Sequence, residues 1–292
     1  MTPTYEDHED AVLAASRQLE LPARGLTLLH NHATPVYLLP QAKAVARVAT
    51  ADQRASVQRA VDLSRWLVEH SVPATEPLDV PQPIDCGPYV IAFWVHYPQP
   101  DTPRPSTLQL GQILRQLHDL PHPPVELTNY RPLVSLEATV QQSAKLTARD
   151  RGWLLESVAM STEAYDKLEF PLGEGFIHGD AYPGNTLWDG NRVVLGDWDE
   201  IAFGPREIDL ANTFQGVRFG RTEGELSDFV HGYGYDPRSW SGLATLIKIR
   251  DLHTLGSYIK RADRGDEAAA QQLIFRIETL RTGDSSANWS PC

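Results

Sequence analysis

The segment Phe176 to Glu200, "FIHGDAYPGNTLWDGNRVVLGDWDE", limits what this chain can fold into more than any other stretch. Gly179, Pro183 and Gly184 rule out a helix through residues 178–185. Asp189-Gly190 between two β-type runs is a hairpin signal, because both residues tolerate the positive φ of a tight turn. Strands of a hairpin lie about 4.8 Å apart. A turn centred near Gly190 sets residue 185 roughly opposite residue 196. Asp197 then returns to the neighbourhood of Asn185 and, behind it, of Asp180. An irregular loop followed by a hairpin is thus expected to gather two carboxylates and an amide oxygen at one end of a short ribbon.

Hard oxygen donors in that number suit Mg²⁺, which keeps several waters and takes other ligands from substrate phosphates. Asn185 and Asp197 are the candidate metal ligands. Asp180 sits earlier on the loop, where it can face a substrate hydroxyl. Phosphoryl transfer needs this set: metal ligands, a carboxylate to orient and deprotonate the hydroxyl, and a basic residue on the phosphates. The protein-kinase loop H-R-D-L-x-x-x-N, followed by a metal-binding Asp, has the same Asp-to-Asn spacing.

Upstream, "GLTLLH", "PVYLL" and "KAVARVA" read as short strands, and "YVIAFWVHY" (Tyr89 to Tyr97) as a buried one. Between them, Val57, Ala60, Val61, Ser64, Leu67 and Val68 share one helical face. The segment Pro98 to Pro105, "PQPDTPRP", can continue neither element and reads as a linker or hinge. A helix then starts at Ser106, which has capping-box spacing to Gln109, and buries Leu110, Ile113, Leu114 and Leu117. Helical patterns dominate thereafter. The expected division is residues 1–97 as an N-terminal nucleotide-binding lobe, 98–105 as hinge, and 106–292 as a catalytic and substrate-binding lobe, with a cleft between the lobes.

A formal net charge of −12 argues against nucleic acid as a partner, since phosphate binding needs a basic surface. It is compatible with a cationic substrate, and equally with mere solubility. No apolar run approaches the roughly 20 residues that span a bilayer, and "MTPTYEDHED" lacks the apolar core of a signal peptide. The two cysteines, Cys86 and Cys292, give no disulfide framework. These features point to the cytoplasm, with no membrane partner. The literal "HNH" at residues 30–32 has no supporting metal cluster and is not read as a nuclease.

"HGDAYPGN", then "GDWD", then "GPREIDLA" resembles the aminoglycoside phosphotransferase family, relatives of the protein kinases. The likeness is densest from Phe176 to Ala211 and extends thinly over most of the chain. It implies an α+β, bilobal protein-kinase-like fold: a small antiparallel-sheet N-lobe with one helix, and a larger, mainly helical C-lobe. It implies a kinase that moves the γ-phosphoryl group of ATP or GTP, with Mg²⁺, to a hydroxyl of an aminoglycoside-like or other small alcohol. Some relatives confer antibiotic resistance; others act on choline, homoserine or sugars. Asp180 corresponds to the catalytic base, and Asn185 and Asp197 to the magnesium ligands. Asp209 resembles a buried Asp that ties the catalytic loop to the next helix, and His178 braces that loop. Arg47 falls where the family has its phosphate-contacting Lys or Arg, and the backbone near Val95 and Tyr97 where it holds the adenine.

The pattern departs at one point. Kinases pair the third-strand basic residue with a Glu on the following helix, and this chain has Ala60 there. Arg47 has no evident partner in the sequence, and a nucleotide-binding pseudokinase or regulatory protein is the alternative. The acceptor face is expected around Asp199, Glu200 and the segment Arg221 to Asp236, whose Glu223, Glu225 and Asp228 either grip amines or lie in solvent. Trp198, Trp240 and Trp289 either stack on a ring or fill core.

Overall fold

The structure, a computed structural model, describes residues 7–31 and 34–290. The chain forms two compact units. The first comprises Met1–Pro105, Asp119–Leu127 and Gly184–Ile201; the second comprises Ser106–His118, Thr128–Pro183 and Ala202–Cys292.

The first unit opens with helix α1, His8–Gln18, whose start is capped by the Asp7 carboxylate accepting the Asp10 N–H at 3.0 Å. Strands β1 (Thr27–Asn31), β2 (Pro35–Leu39) and β3 (Ala44–Thr50) follow, then helix α2 (Arg54–Glu69) and strands β4 (Ile84–Cys86) and β5 (Tyr89–Val95). The five strands form an antiparallel sheet in the order β1-β2-β3-β5-β4. Alternation along β3 buries Ala44, Ala46 and Val48 in one core with Ala11, Val12 and Ala15 of α1 and with Leu39, Ile91 and Phe93. The same period of two turns Val45 and Arg47 to the opposite face. Helix α2 packs on β3 and β5 and buries Ala60, Val61, Leu63, Ser64 and Leu67. The stripe read from the sequence omits Leu63, and its Val57 and Val68 are only half-buried.

In the second unit, helix α3 (Thr107–His118) is closed by the anticipated box: the Ser106 N–H donates to Gln109 Oε1 at 2.9 Å, and the Gln109 N–H to Ser106 Oγ at 3.4 Å. Helices α4 (Val134–Gln142) and α5 (Ala148–Tyr165) lead to strand β6 (Glu174–Ile177). The chain then passes into the first unit for the hairpin of β7 (Thr186–Asp189) and β8 (Arg192–Leu195), turning at Gly190 with φ +59°. It returns as β9 (Ala202–Pro205), which pairs antiparallel with β6 from Glu174↔Pro205 to Ile177↔Ala202. Helices α6 (Glu207–Gln215), α7 (Glu223–Tyr233), α8 (Leu243–Asp263) and α9 (Glu267–Thr282) complete the chain.

Main-chain and side-chain bonds show why the hairpin belongs to the first unit. The Thr75 N–H donates to the Leu195 carbonyl at 2.9 Å, and the Leu195 N–H to the Pro73 carbonyl at 2.8 Å. Gln99 brackets Trp188, accepting its N–H at 3.0 Å and donating to its carbonyl at 3.2 Å. The Trp188 indole N–H donates to the Pro103 carbonyl at 3.0 Å. A linear reading keeps residues 106–292 together; packing assigns Gly184–Ile201 to the other unit.

Helices α3 and α7 meet backbone to backbone. A Cβ at Gly111 would stand 2.5 Å from the Phe229 carbonyl oxygen and 2.8 Å from the Tyr233 nitrogen. Neither obstacle is a side chain that can swing away. Gly111→Ala is therefore expected to lower unfolding stability by about 1–3 kcal/mol, the cost of overpacking. Gly152→Ala, exposed in α5 with nothing within 4 Å of the added carbon, is expected to raise it by about 0.5–1 kcal/mol. Urea titration of both variants checks the pair.

Candidate active site

The segment after β6 carries polar backbone into a buried region, where each N–H needs an acceptor. Asp209, on the first turn of α6 and fully buried, supplies two. Its Oδ2 accepts the His178 N–H at 2.8 Å, and its Oδ1 accepts the Gly179 N–H at 2.8 Å. Gly179 has φ +84°, a region open to glycine at little cost. Asn212, one turn along α6, donates to the Gly179 carbonyl at 3.2 Å. His118 at the end of α3 donates from Nε2 to Asp209 Oδ2 at 2.9 Å, and its Nδ1 accepts the Tyr233 hydroxyl at 2.8 Å. Burial alone would raise the Asp209 carboxyl; the His118 hydrogen bond and the neighbouring imidazoles outweigh it and hold the group below the usual carboxylate range. One carboxylate thus fastens the loop to α6, α3 and α7. His178 is fully buried, and its Nδ1 accepts the Asp180 N–H at 3.2 Å, a bracing position.

Asp180 lies in the second unit. Its Oδ1 is ion-paired with an Nη of Arg250 on α8, a residue the sequence reading did not single out. The two side chains are 21% and 15% exposed, so water screens the pair weakly. His253, one turn on, is pushed down to about 4 by burial and by the Arg250 charge, with Asp180 opposing.

Asn185, Asp197, Arg47, Val95 and Tyr97 lie in the first unit. The pairing Thr186↔Leu195 and the bond from the Gly196 N–H to the Asn185 carbonyl, 2.9 Å, set Asn185 opposite Gly196, as the turn arithmetic predicts. Asp197 follows at φ +64° and ψ +63°, left-handed backbone that costs a non-glycine residue on the order of 1–3 kcal/mol. Arg47 holds it: one Nη donates to Asp197 Oδ1 at 3.1 Å and to Asp199 Oδ2 at 2.6 Å. Asp197 and Asp199 raise the Arg47 guanidinium above its ordinary value against the opposing effect of burial. Burial pushes the Asp199 carboxyl up; Arg47 opposes this and Asp197 adds to it. Arg47 therefore has its partners, and they come from the turn after the hairpin. The helix position where kinases carry Glu is Ala60, 3% exposed in the core under α2.

Asn185 and Asp197 offer only oxygen donors, and the Arg47 bond engages Oδ1 of Asp197 alone. That set fits a hard divalent ion completed by water and phosphate. Among the described residues no three His, Cys, Asp or Glu side chains form a metal-holding group. His32 of the "HNH" string lies outside the described residues. The Val95 N–H donates to the Glu76 carbonyl at 2.8 Å, and the Tyr97 hydroxyl accepts the Glu76 N–H at 3.0 Å, so Glu76 braces this strand end. Trp198 and Trp289 are buried core; Trp240 donates to the Glu169 carbonyl at 3.0 Å and packs on Phe170. No described helix is long and apolar enough to cross a membrane.

Two outcomes follow from these bonds. Asp209→Ala strands two buried N–H groups and His118, and is expected to cost on the order of 3–5 kcal/mol in denaturant unfolding. His253 stays neutral in the folded chain while the unfolded chain protonates it below 6.5. The unfolded state then binds more protons, so stability is full above about pH 6.5 and falls as pH drops toward 4. Melting curves across that window should show the decline, and His253→Gln should flatten it.

Solved structures share this architecture. Amicoumacin kinase hAmiN, in complex with AMP-PNP, Ca²⁺ and Ami, matches with a TM-score of 0.76 at 13% identity, over 97% of this chain and 96% of that one. Spectinomycin phosphotransferase APH(9)-Ia, in complex with ADP and spectinomycin, gives 0.63 at 17% over 90% of both chains. A choline/ethanolamine kinase family protein from Mesorhizobium loti gives 0.66 at 15%, over 94% and 96%. At these identities the likeness shows the fold, α+β and protein-kinase-like, with an antiparallel-sheet N-lobe and a helical C-lobe. No curated protein sequence matches the chain. The model of the phosphotransferase enzyme family matches residues 26–243. The chain accordingly belongs to the phosphotransferase enzyme family and is a small-molecule phosphotransferase of protein-kinase-like fold.

Proposed function

We propose that this chain transfers the γ-phosphoryl group of ATP or GTP to a hydroxyl of a small alcohol. The observation that carries the reading is the hairpin register: it sets Asn185 beside the Gly196-Asp197 step, with Asp197 held in a strained backbone by Arg47. Asn185 and Asp197 are the residues that would hold Mg²⁺, and the ion would supply positive charge against the phosphates. Arg47 carries a permanent charge and donors beyond those given to the two carboxylates, and takes up phosphate oxygens. The backbone at Val95 to Tyr97, braced by Glu76, carries the nucleotide base. Asp180 orients the acceptor. The hydroxyl oxygen forms a bond to the γ-phosphorus while the bond to the β,γ-bridging oxygen breaks. The nucleoside diphosphate leaves with that electron pair, and the hydroxyl proton passes to Asp180. The Arg47–Asp199 pair replaces the missing helix Glu, which removes the motive for a non-catalytic reading.

Nucleotide consumption with Mg²⁺ and a panel of alcohols tests the assignment. Asp180→Ala is expected to lose about 10²–10⁴ in rate. Asp197→Ala is expected to lose the metal-dependent rise in melting temperature that nucleotide produces. Unchanged turnover in Asp180→Ala would refute the mechanism.

A further inference from the structure

The carboxylate assigned as base is held by a cation. Arg250 has five N–H donors, and its ion pair with Asp180 Oδ1 is the one side-chain bond it makes among the described residues. The remaining donors have no acceptor among the described residues, although the side chain is 15% exposed. Partly buried guanidinium donors without acceptors recognise oxyanions best, because planar, bidentate pairing matches carboxylate and phosphate geometry. The Arg250 and Lys260 charges both act on His253, with Asp180 opposing them.

A second arginine follows α6, a helix that packs on α8. Arg221 packs against Gly216 with its Nε sealed from water and no hydrogen-bond partner among the described residues. Gln215, the residue before Gly216, and Arg218 both bond Asp251, the neighbour of Arg250, at 2.9 and 3.2 Å.

Four carboxylates of the expected acceptor face are paired within the protein, and Asp228 stays exposed. Asp199 pairs with Arg47 at 2.6 Å. Glu225 closes the α7 cap by accepting the Thr222 N–H at 2.8 Å. Glu223 and Asp236 both pair with Arg238, at 3.3 and 2.8 Å. An acidic grip on a cationic acceptor has no free members among these four.

We propose that the acceptor is an alcohol bearing an oxyanion, a carboxylate or a phosphate ester, near the hydroxyl that is phosphorylated, and that Arg250 is its specificity-determining contact. The proposal rests on the kinase reading for the role of Asp180. In the free chain Arg250 engages one of the two carboxylate oxygens of Asp180. The acceptor's oxyanion takes the guanidinium donors instead, and Asp180 is released to the hydroxyl as the substrate arrives. Choice of substrate and readiness of the base are thereby the same event.

Two measurements on the full chain test this: melting shifts with each alcohol alone, and diphosphate release with ATP and Mg²⁺. The probes are glycerate, glycerol 3-phosphate, glycerol, choline and streptomycin. Wild type should bind and use the anionic probes at least tenfold better than glycerol, and glycerate against glycerol 3-phosphate tells carboxylate from phosphate. Arg250→Gln should raise KM for the preferred anion roughly ten- to a hundredfold and collapse its preference over glycerol. Arg250→Lys, which keeps the charge and loses the fork, should retain part of that preference, and it keeps the test readable if the Gln variant does not fold. Tightest binding by choline or streptomycin, no shift with either anion, or a glycerate-to-glycerol ratio untouched in both variants would overturn the proposal. An anion-induced shift that depends on Arg250, without nucleotide consumption under any condition, would support the oxyanion contact and sink the kinase reading instead.

Discussion

The arrangement depends on one buried carboxylate. Residues 178–182 are neither helix nor strand, and only a single 3-10 turn, Pro183–Asn185, follows before β7; their backbone groups cannot satisfy one another, and buried N–H groups without acceptors are costly. Asp209 takes the first two N–H groups after β6, and its Oδ2 also accepts from His118. Because His118 ends α3 and meets Tyr233 at the end of α7, the loop is registered against three helices at once. The close glycine contact between α3 and α7 keeps those anchors in place. Asp180 inherits a fixed main-chain position from this knot, one residue beyond it.

A second constraint is electrostatic. A β-strand alternates its faces, so burying Ala46 and Val48 under α1 commits Arg47 to the other side. A half-buried guanidinium there requires anionic company. This chain draws it from Asp197 and Asp199, and Ala60 on the neighbouring helix is buried in core. The two acids that partner the basic residue lie 150 and 152 residues further along the chain from it. The same pair steadies the left-handed backbone at Asp197.

Much of this was legible in the residues, and the reason is range. The hairpin, its register at Asn185 and Gly196, the Ser106 cap and the long strands are decided within a dozen residues, where turn chemistry and periodicity act. Asp197 and Asn185 could be paired on paper because a tight turn has simple arithmetic. Contacts across long loops have none. Nothing near Arg47 signals Asp199, and nothing near Asp180 signals Arg250, 70 residues away on α8. Helix α1 buries Val12 together with the small residues Ala11, Ala15 and Ser16, of which only Val12 is a large apolar side chain. Strands β4, β6 and β9 are three or four residues long and gain their identity only from their neighbours.

The passage of Gly184–Ile201 into the first unit has a consequence for how such a chain can be divided or inherited. A cut in the Pro-rich stretch before Ser106 looks like a natural seam, yet a fragment ending there lacks the ribbon that bonds Pro73, Thr75, Gln99 and Pro103 and that supplies both anions to Arg47. The two units are interlaced in the gene rather than placed in series. Exchange of a front half between distant homologues would therefore separate a basic side chain from the acids matched to it, and viable chimaeras need a crossover pattern that carries the ribbon along with the sheet.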